Sequence, residues 1–129
     1  MFGITIKKKK KILVVEDDAL LAKALMASIE VEGFDALNVV NGLMVLDEVK
    51  RYQPNIILLD LMLPGLDGFE VLRQLKADDK TKSIPVFVIS NLGGQSDIKS
   101  AKVLGAEEYF IKANSEIEKI IEKVKKKIS

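Results

Sequence analysis

Five polar side chains with chemical potential stand directly behind short apolar runs. Glu16 and Asp17 follow Ile12–Val15, Asp60 follows Ile56–Leu59, Ser90 follows Val86–Ile89, and Lys112 follows Tyr109–Ile111. A buried strand that ends in a polar group delivers it to the strand's carboxyl edge, where parallel α/β sheets bind ligands. Three carboxylates gathered there repel one another and push protons onto the acids. A hard divalent cation relieves that repulsion, and Mg2+ favours one or two carboxylates completed by water and phosphate oxygens. An ionised carboxylate can also act as the nucleophile of aspartyl-phosphate chemistry. Phosphoryl transfer asks a protein mainly for positioning and charge stabilisation. A cation would serve two phosphoryl oxygens, Lys112 a third, and Ser90 would donate a hydrogen bond, so the set is complete for that chemistry. Taken singly, each member has a plainer reading: Asp60 as a helix cap, Ser90 as a turn residue, Lys112 as a surface lysine, Glu16-Asp17-Asp18 as the start of a helix.

The elements that must position these groups alternate strand and helix along the whole chain. Lys11 or Ile12 through Val15 is a continuous apolar run, as in a strand covered on both faces. Asp18 stands where an N-cap belongs, and Leu21, Ala24, Leu25, Ser28 and Ile29 recur at helical spacing until Gly33 stops the helix. Asp35–Val40 is a weaker strand that Asn38 marks as an edge, and Asn41-Gly42 is a turn signal. Leu43, Leu46 and Val49 trace a short helix that ends before Pro54. Ile56–Leu59 is the second buried run. It leads into LLDLMLPGLDG, Leu58–Gly68, where Pro64-Gly65 breaks the chain before a helix with Phe69, Leu72 and Leu75 inward. The polar segment Ala77–Ser83 leads to Pro85, which suits the first residue of a strand over Val86–Ile89. Gly93-Gly94 joins this to a helix with Ile98, Ala101 and Leu104 inside, capped by Gly105. Tyr109–Ile111 is a last short strand. Ile117, Ile120, Ile121, Val124 and Ile128 line one face of a closing helix, with Lys125–Lys127 favourably near its carboxyl end.

This order predicts an α/β fold: a doubly wound, five-stranded parallel sheet with helices on both faces. The right-handed crossover rule and the weak second strand favour the flavodoxin-like order 2-1-3-4-5. The first and third strands then flank the switch point, which brings Glu16, Asp17 and Asp60 to one crevice.

Composition narrows the function classes. A chain of 129 residues suits one domain, divided here into a basic arm over residues 1–10 and a folded domain over 11–129. Net charge is +1, which gives no general pull towards nucleic acid or acidic lipid. The lysine run Lys7–Lys11 reads as a solvated lead-in, and neither direct nucleic-acid binding nor membrane association is expected. The amino-terminal charges follow a short apolar stretch, the reverse of a signal peptide, and the expected location is cytoplasmic. Without cysteine or histidine there are no disulfides, thiol nucleophiles, serine–histidine triads or histidine-ligated metals.

The motifs ILVVEDD, LLDLMLPGLDG, VFVIS and GAEEYFIK, in this order and spacing, resemble those of the response-regulator receiver domain, the CheY-like phosphoacceptor module of two-component signalling. The resemblance covers nearly everything from Lys11 onward. It implies that Asp60 accepts a phosphoryl group and that Asp17 binds Mg2+ directly, with Glu16 binding it through water. It further implies that the Met62 backbone carbonyl completes the protein ligands. Ser90 fills the position of the hydroxyl that follows the phosphoryl group, Lys112 that of the family's lysine, and Tyr109 that of the aromatic switch. The implied partners are a sensor histidine kinase or phosphotransfer protein upstream, and downstream either another protein or a second copy. The downstream face would be that of helix 4, strand 5 and helix 5.

Two positions depart from the family pattern. Lys112 is followed by Ala113-Asn114 where proline is usual, and a non-proline cis bond costs about 2.5–4 kcal/mol. A trans bond is therefore expected, which leaves the reach of Lys112 open. Asn91 replaces the usual small residue after the hydroxyl, and apolar Met62 and Leu92 would shield an acyl phosphate from water, predicting a long-lived phosphorylated state. Two rivals stand beside this reading. A phosphatase of the haloacid-dehalogenase type needs a second Asp two residues after the nucleophile, where this chain has Met62. A receiver-like docking module that never takes phosphate is the alternative. No nucleotide-binding glycine motif is present.

Overall fold

Runs of β-branched and aliphatic residues bounded by turn formers become five strands in the computed structural model, which describes residues 8–129. They are β1 (Lys11–Val15), β2 (Asp35–Val39), β3 (Ile56–Leu59), β4 (Val86–Ser90) and β5 (Glu108–Ile111). All pair in parallel in the order β2-β1-β3-β4-β5, as expected. Five helices connect and close them: α1 (Ala19–Val31), α2 (Val45–Tyr52), α3 (Gly68–Ala77), α4 (Gln95–Leu104) and α5 (Ile117–Ile128). Of the amino-terminal arm, Lys8–Lys10 are exposed and outside any strand, while residues 1–7 lie outside the described residues.

Alternate residues of each strand serve opposite faces, which gives two cores. Leu13, Val15, Ile57, Leu59, Val86 and Val88 pack against α2, α3 and α4. Ile12, Val14, Ile56, Leu58, Phe87 and Ile89 pack against Leu25 and Ile29 of α1 and Ile120, Ile121, Val124 and Ile128 of α5. The three central strands therefore need apolar residues on both faces between their ends, which is why Ile12–Val15, Ile56–Leu59 and Val86–Ile89 read as unbroken runs. Among the described residues no helix is long and apolar enough to cross a membrane.

Local chemistry sets the ends of the elements. Asp18 Oδ1 accepts the Leu20 and Leu21 amides at 3.0 and 3.2 Å, capping α1. Asp67 caps α3 by accepting the Glu70 amide at 3.2 Å. Three expectations need correction, and one residue of the polar segment is buried. Leu43 does not face the core: it is 67% exposed in a 3₁₀ turn over Gly42–Met44, and Val45 and Val49 fill the inward positions. Three residues per turn in that segment shift the phase of the helix that follows. Strand β2 stops at Val39, leaving Val40 exposed. Pro85 precedes β4 rather than starting it and contributes only its carbonyl, which accepts the Ile57 amide at 3.0 Å. Thr81, in the polar segment, is buried and donates to the Leu75 carbonyl at 2.6 Å, satisfying the end of α3.

Gly68 is fixed by close approach. Its amide donates to the Leu61 carbonyl at 2.9 Å. A Cβ here would lie 2.3 Å from Leu61 Cα and 2.5 Å from the Asp60 carbonyl oxygen, both backbone. Gly68→Ala is expected to lower stability by about 1–3 kcal/mol in urea unfolding, the usual cost of overpacking. A midpoint equal to wild type would contradict this tight seating.

Candidate functional site

Hydrogen bonding between neighbouring strands carries the chain past the sheet edge and fixes where the acids stand. The Glu16 amide donates to the Val39 carbonyl at 3.1 Å, and the Asp60 amide donates to the Val15 carbonyl at 3.0 Å. Glu16 and Asp60 are almost completely buried, at 2% and 3% exposure, whereas Asp17 faces solvent. One carboxylate oxygen from each of the three lies within 4.8 Å of the others. The expected convergence is present.

Two buried carboxylates with a third beside them need a counter-charge, because desolvation penalises each ion. Lys112 supplies it: its Nζ lies 2.8 Å from Glu16 Oε1 and 2.9 Å from Asp60 Oδ2. The remaining oxygens are also used. Asp60 Oδ1 accepts the Met62 amide at 3.0 Å and Glu16 Oε2 accepts the Asp18 amide at 3.0 Å. Burial nevertheless pushes the Glu16 carboxyl above its ordinary range, against the hydrogen bonds from Lys112 and the Asp18 amide and with the Asp60 charge adding to the rise. For Lys112 burial acts to lower the ammonium's pKa, but its hydrogen bonds to Glu16 and Asp60 outweigh that and hold it above the ordinary range.

The missing proline does not cost Lys112 its reach. No cis peptide bond occurs among the described residues, and Lys112–Asn114 form a short 3₁₀ turn that leaves the lysine aimed at both acids. Ser90 is fully buried, and its Oγ accepts the Leu92 amide at 3.2 Å. Tyr109 is half-buried, and its hydroxyl donates to the Leu92 carbonyl at 2.6 Å. Ser90 and Tyr109 are thus joined through one residue of the β4–α4 loop. Met62 projects its side chain into solvent at the rim, Asn91 is exposed, and Leu92 is half-buried.

One group of supporting residues was not apparent in the sequence. The Gly42 amide donates to the Pro64 carbonyl at 3.0 Å, and a Cβ on Gly42 would lie 1.9 Å from the Leu66 carbonyl oxygen. A Cβ on Gly65, which sits at φ +84°, would lie 2.1 Å from Asn41 Oδ1. The two turn signals, Asn41-Gly42 and Pro64-Gly65, therefore lock the loop behind Asp60 against the end of β2. Each dipeptide was readable as a turn, but nothing in either identified the other as its neighbour.

With this geometry in place, the chain belongs to the response-regulator receiver domain family, whose model matches residues 12–125. It is thereby a module of two-component signalling, in a signalling rather than a catalytic family. Over 116 residues it is 34% identical to the polar-differentiation response regulator DivK of Brucella anthropi, covering 90% of this chain and 94% of that protein. Other curated relatives are longer, and the chain spans less than half their length. Among solved structures it resembles the phosphorylated cyanobacterial phytochrome response regulator RcpA, with a TM-score of 0.79 and 29% identity over 92% of this chain and 91% of that one. It also resembles the Mn2+-bound form of response regulator Rcp1, with a TM-score of 0.79 and 27% identity over 90% of this chain and 91% of that one.

The raised Glu16 pKa gives a prediction whose sign follows from proton linkage. The folded chain holds a proton on Glu16 more tightly than the unfolded chain does. Its contribution to stability is therefore most favourable below the ordinary value of 4.5 and is lost as pH rises through the folded value. In a chelating buffer at pH 7, Glu16→Gln should have a higher urea midpoint than wild type, and the difference should shrink as pH falls towards 4.5. A difference that is constant with pH would contradict the assignment.

Proposed function

We propose that the chain is a phosphoacceptor receiver that takes a phosphoryl group on Asp60 and relays that event to a protein-binding surface. The observation that carries this is the position of Lys112, whose ammonium bridges Asp60 and Glu16 at 2.9 and 2.8 Å inside a cluster of three carboxylates. With all three acids ionised the cluster remains negative despite Lys112. That excess and its all-oxygen donors suit a hard divalent cation. Asp17 and Glu16, with Asp60 and the Met62 carbonyl, are the groups assigned to hold Mg2+. Bound there, Mg2+ would neutralise the excess charge and attract the phosphoryl oxygens. The Mn2+-bound form of Rcp1 and the phosphorylated form of RcpA support both halves of this reading.

The chain's own residues have separable tasks. An Asp60 carboxylate oxygen attacks phosphorus, forming an O–P bond as the P–N bond of a phosphohistidine donor breaks and its electron pair returns to the imidazole. The Met62 amide and Lys112 hold the carboxylate in place for attack. Lys112 then meets a phosphoryl oxygen, and Ser90, whose oxygen already accepts from Leu92, retains its hydroxyl proton for donation. Movement of Ser90 towards the phosphoryl group pulls on Leu92, which Tyr109 also holds, so the event is felt on β5. The output surface is the face of α4, β5 and α5, presented to a downstream protein or a second copy. The donor is a sensor histidine kinase or a phosphotransfer protein, the kind of partner with which receiver domains interact. The apolar side chains of exposed Met62 and half-buried Leu92 would shield an acyl phosphate on Asp60 by folding over it once it has formed, and a long-lived phosphorylated state is proposed on that condition.

Incubation with phosphoramidate and Mg2+, followed by intact mass measurement, should add one phosphoryl group to the wild type and none to Asp60→Asn. Lys112→Ala should slow the gain by roughly 100-fold, the usual effect of removing one charge-stabilising donor. Absence of any gain in the wild type would favour the docking module instead. Once phosphorylated, Met62→Asn should lose its phosphoryl group faster than wild type does. An equal or slower rate would refute the proposed shielding.

A further inference from the structure

The end of β2 carries a polar side chain that the proposed chemistry leaves unassigned. The last register pair between the two edge-side strands is Val15 with Val39, and β2 stops there. The Glu16 carbonyl lies one residue beyond that pair. The side-chain amide of Asn38 reaches it: Nδ2 donates to the Glu16 carbonyl at 3.1 Å and to the Val14 carbonyl at 2.9 Å. A ladder that has run out of backbone donors on this side is extended by one side-chain donor.

The place of that extension matters more than its contribution to stability. The Glu16 carbonyl belongs to the peptide unit that joins Glu16 to Asp17. With the Glu16 amide bound to Val39 and its carbonyl bound to Asn38, both backbone polar groups of Glu16 are fixed. Peptide planarity then leaves few orientations for the chain entering Asp17. The contact between Glu16 Oε2 and the Asp18 amide depends on the same backbone path. Asn38 is half-buried on an edge strand, so no packing requirement demands an amide there. A β-branched residue would suit the strand better, since Asn is depleted in strands.

We infer that Asn38 is a positioning residue of the metal site, holding the Glu16–Asp17 peptide so that both carboxylates point into the crevice. This rests on the Mg2+ reading above and adds to it a residue that touches neither metal nor phosphate. Outer residues of this kind commonly change metal affinity by tenfold or more when removed.

The test compares wild type, Asn38→Leu, an apolar residue of similar shape, and Asn38→His, which keeps a ring N–H donor near the same place. Mg2+ titrated calorimetrically into Asn38→Leu should bind about tenfold more weakly than into wild type. Asn38→His should recover part of that loss. In metal-free buffer, hydrogen exchange of the Asp18 amide should quicken in Asn38→Leu, while amides of β3 and β4 keep their protection. Wild-type affinity in Asn38→Leu overturns the inference. So does a loss of protection spread over β3 and β4, because the residue would then be merely structural. A wild type that binds no Mg2+ defeats the metal reading instead, and Asp18 exchange still decides whether Asn38 holds the loop.

Discussion

Two carboxylates buried at the edge of a sheet are tolerable only with a counter-charge between them, and the architecture of this domain is arranged to provide one. Glu16 follows the first strand, Asp60 the third, and Lys112 the fifth, so four crossovers must close correctly before the ammonium reaches both acids. The parallel sheet satisfies that condition because every strand ends at the same edge. Two apolar cores, one on each face, keep the strands in register while the edge carries charge. Fold and site are therefore coupled through one ion triad: the sheet places the charges, and the charges are acceptable only in that placement.

Much of this was legible in the residues because it depends on period and adjacency. Ile12–Val15, Ile56–Leu59 and Val86–Ile89 are continuously apolar because both faces of each strand are covered. The order of such runs with intervening helical patterns is nearly enough to specify a doubly wound sheet. The residue that follows each run is then a candidate for the rim, which is how Glu16, Asp60, Ser90 and Lys112 could be grouped. The reach of Lys112 was harder to judge because it depends on the Lys112–Asn114 turn rather than on spacing. Without the proline familiar in this family, the turn still presents the ammonium to both acids.

What escaped the sequence lies where two loops meet or where helix phase slips. Leu43 sat at a plausible helical spacing, yet a 3₁₀ turn rotated Val45 into its place. Gly42 and Gly65 read as independent turn residues, although each is required because the other's loop passes against it. Asn38 looked like the mark of an edge strand, and it is one. Its additional contact with the Glu16 carbonyl could not be read from local pattern, because the partner is 22 residues away. Such contacts depend on tertiary proximity, for which a single sequence offers no periodic signal.

The seating of Gly68 against the Asp60–Leu61 backbone makes the packing beside the site unequal on its two sides. On the β3 side, main chain meets main chain with no space for a methyl group. On the β5 side, the residues of Glu108–Ile111 are all half-buried, and α4 buries only Ala101. The acid loop is thus bordered by close-packed main chain on one side and by partly solvated side chains on the other. Volume added at the first boundary has to displace main chain, whereas at the second it has only side chains and solvent to displace.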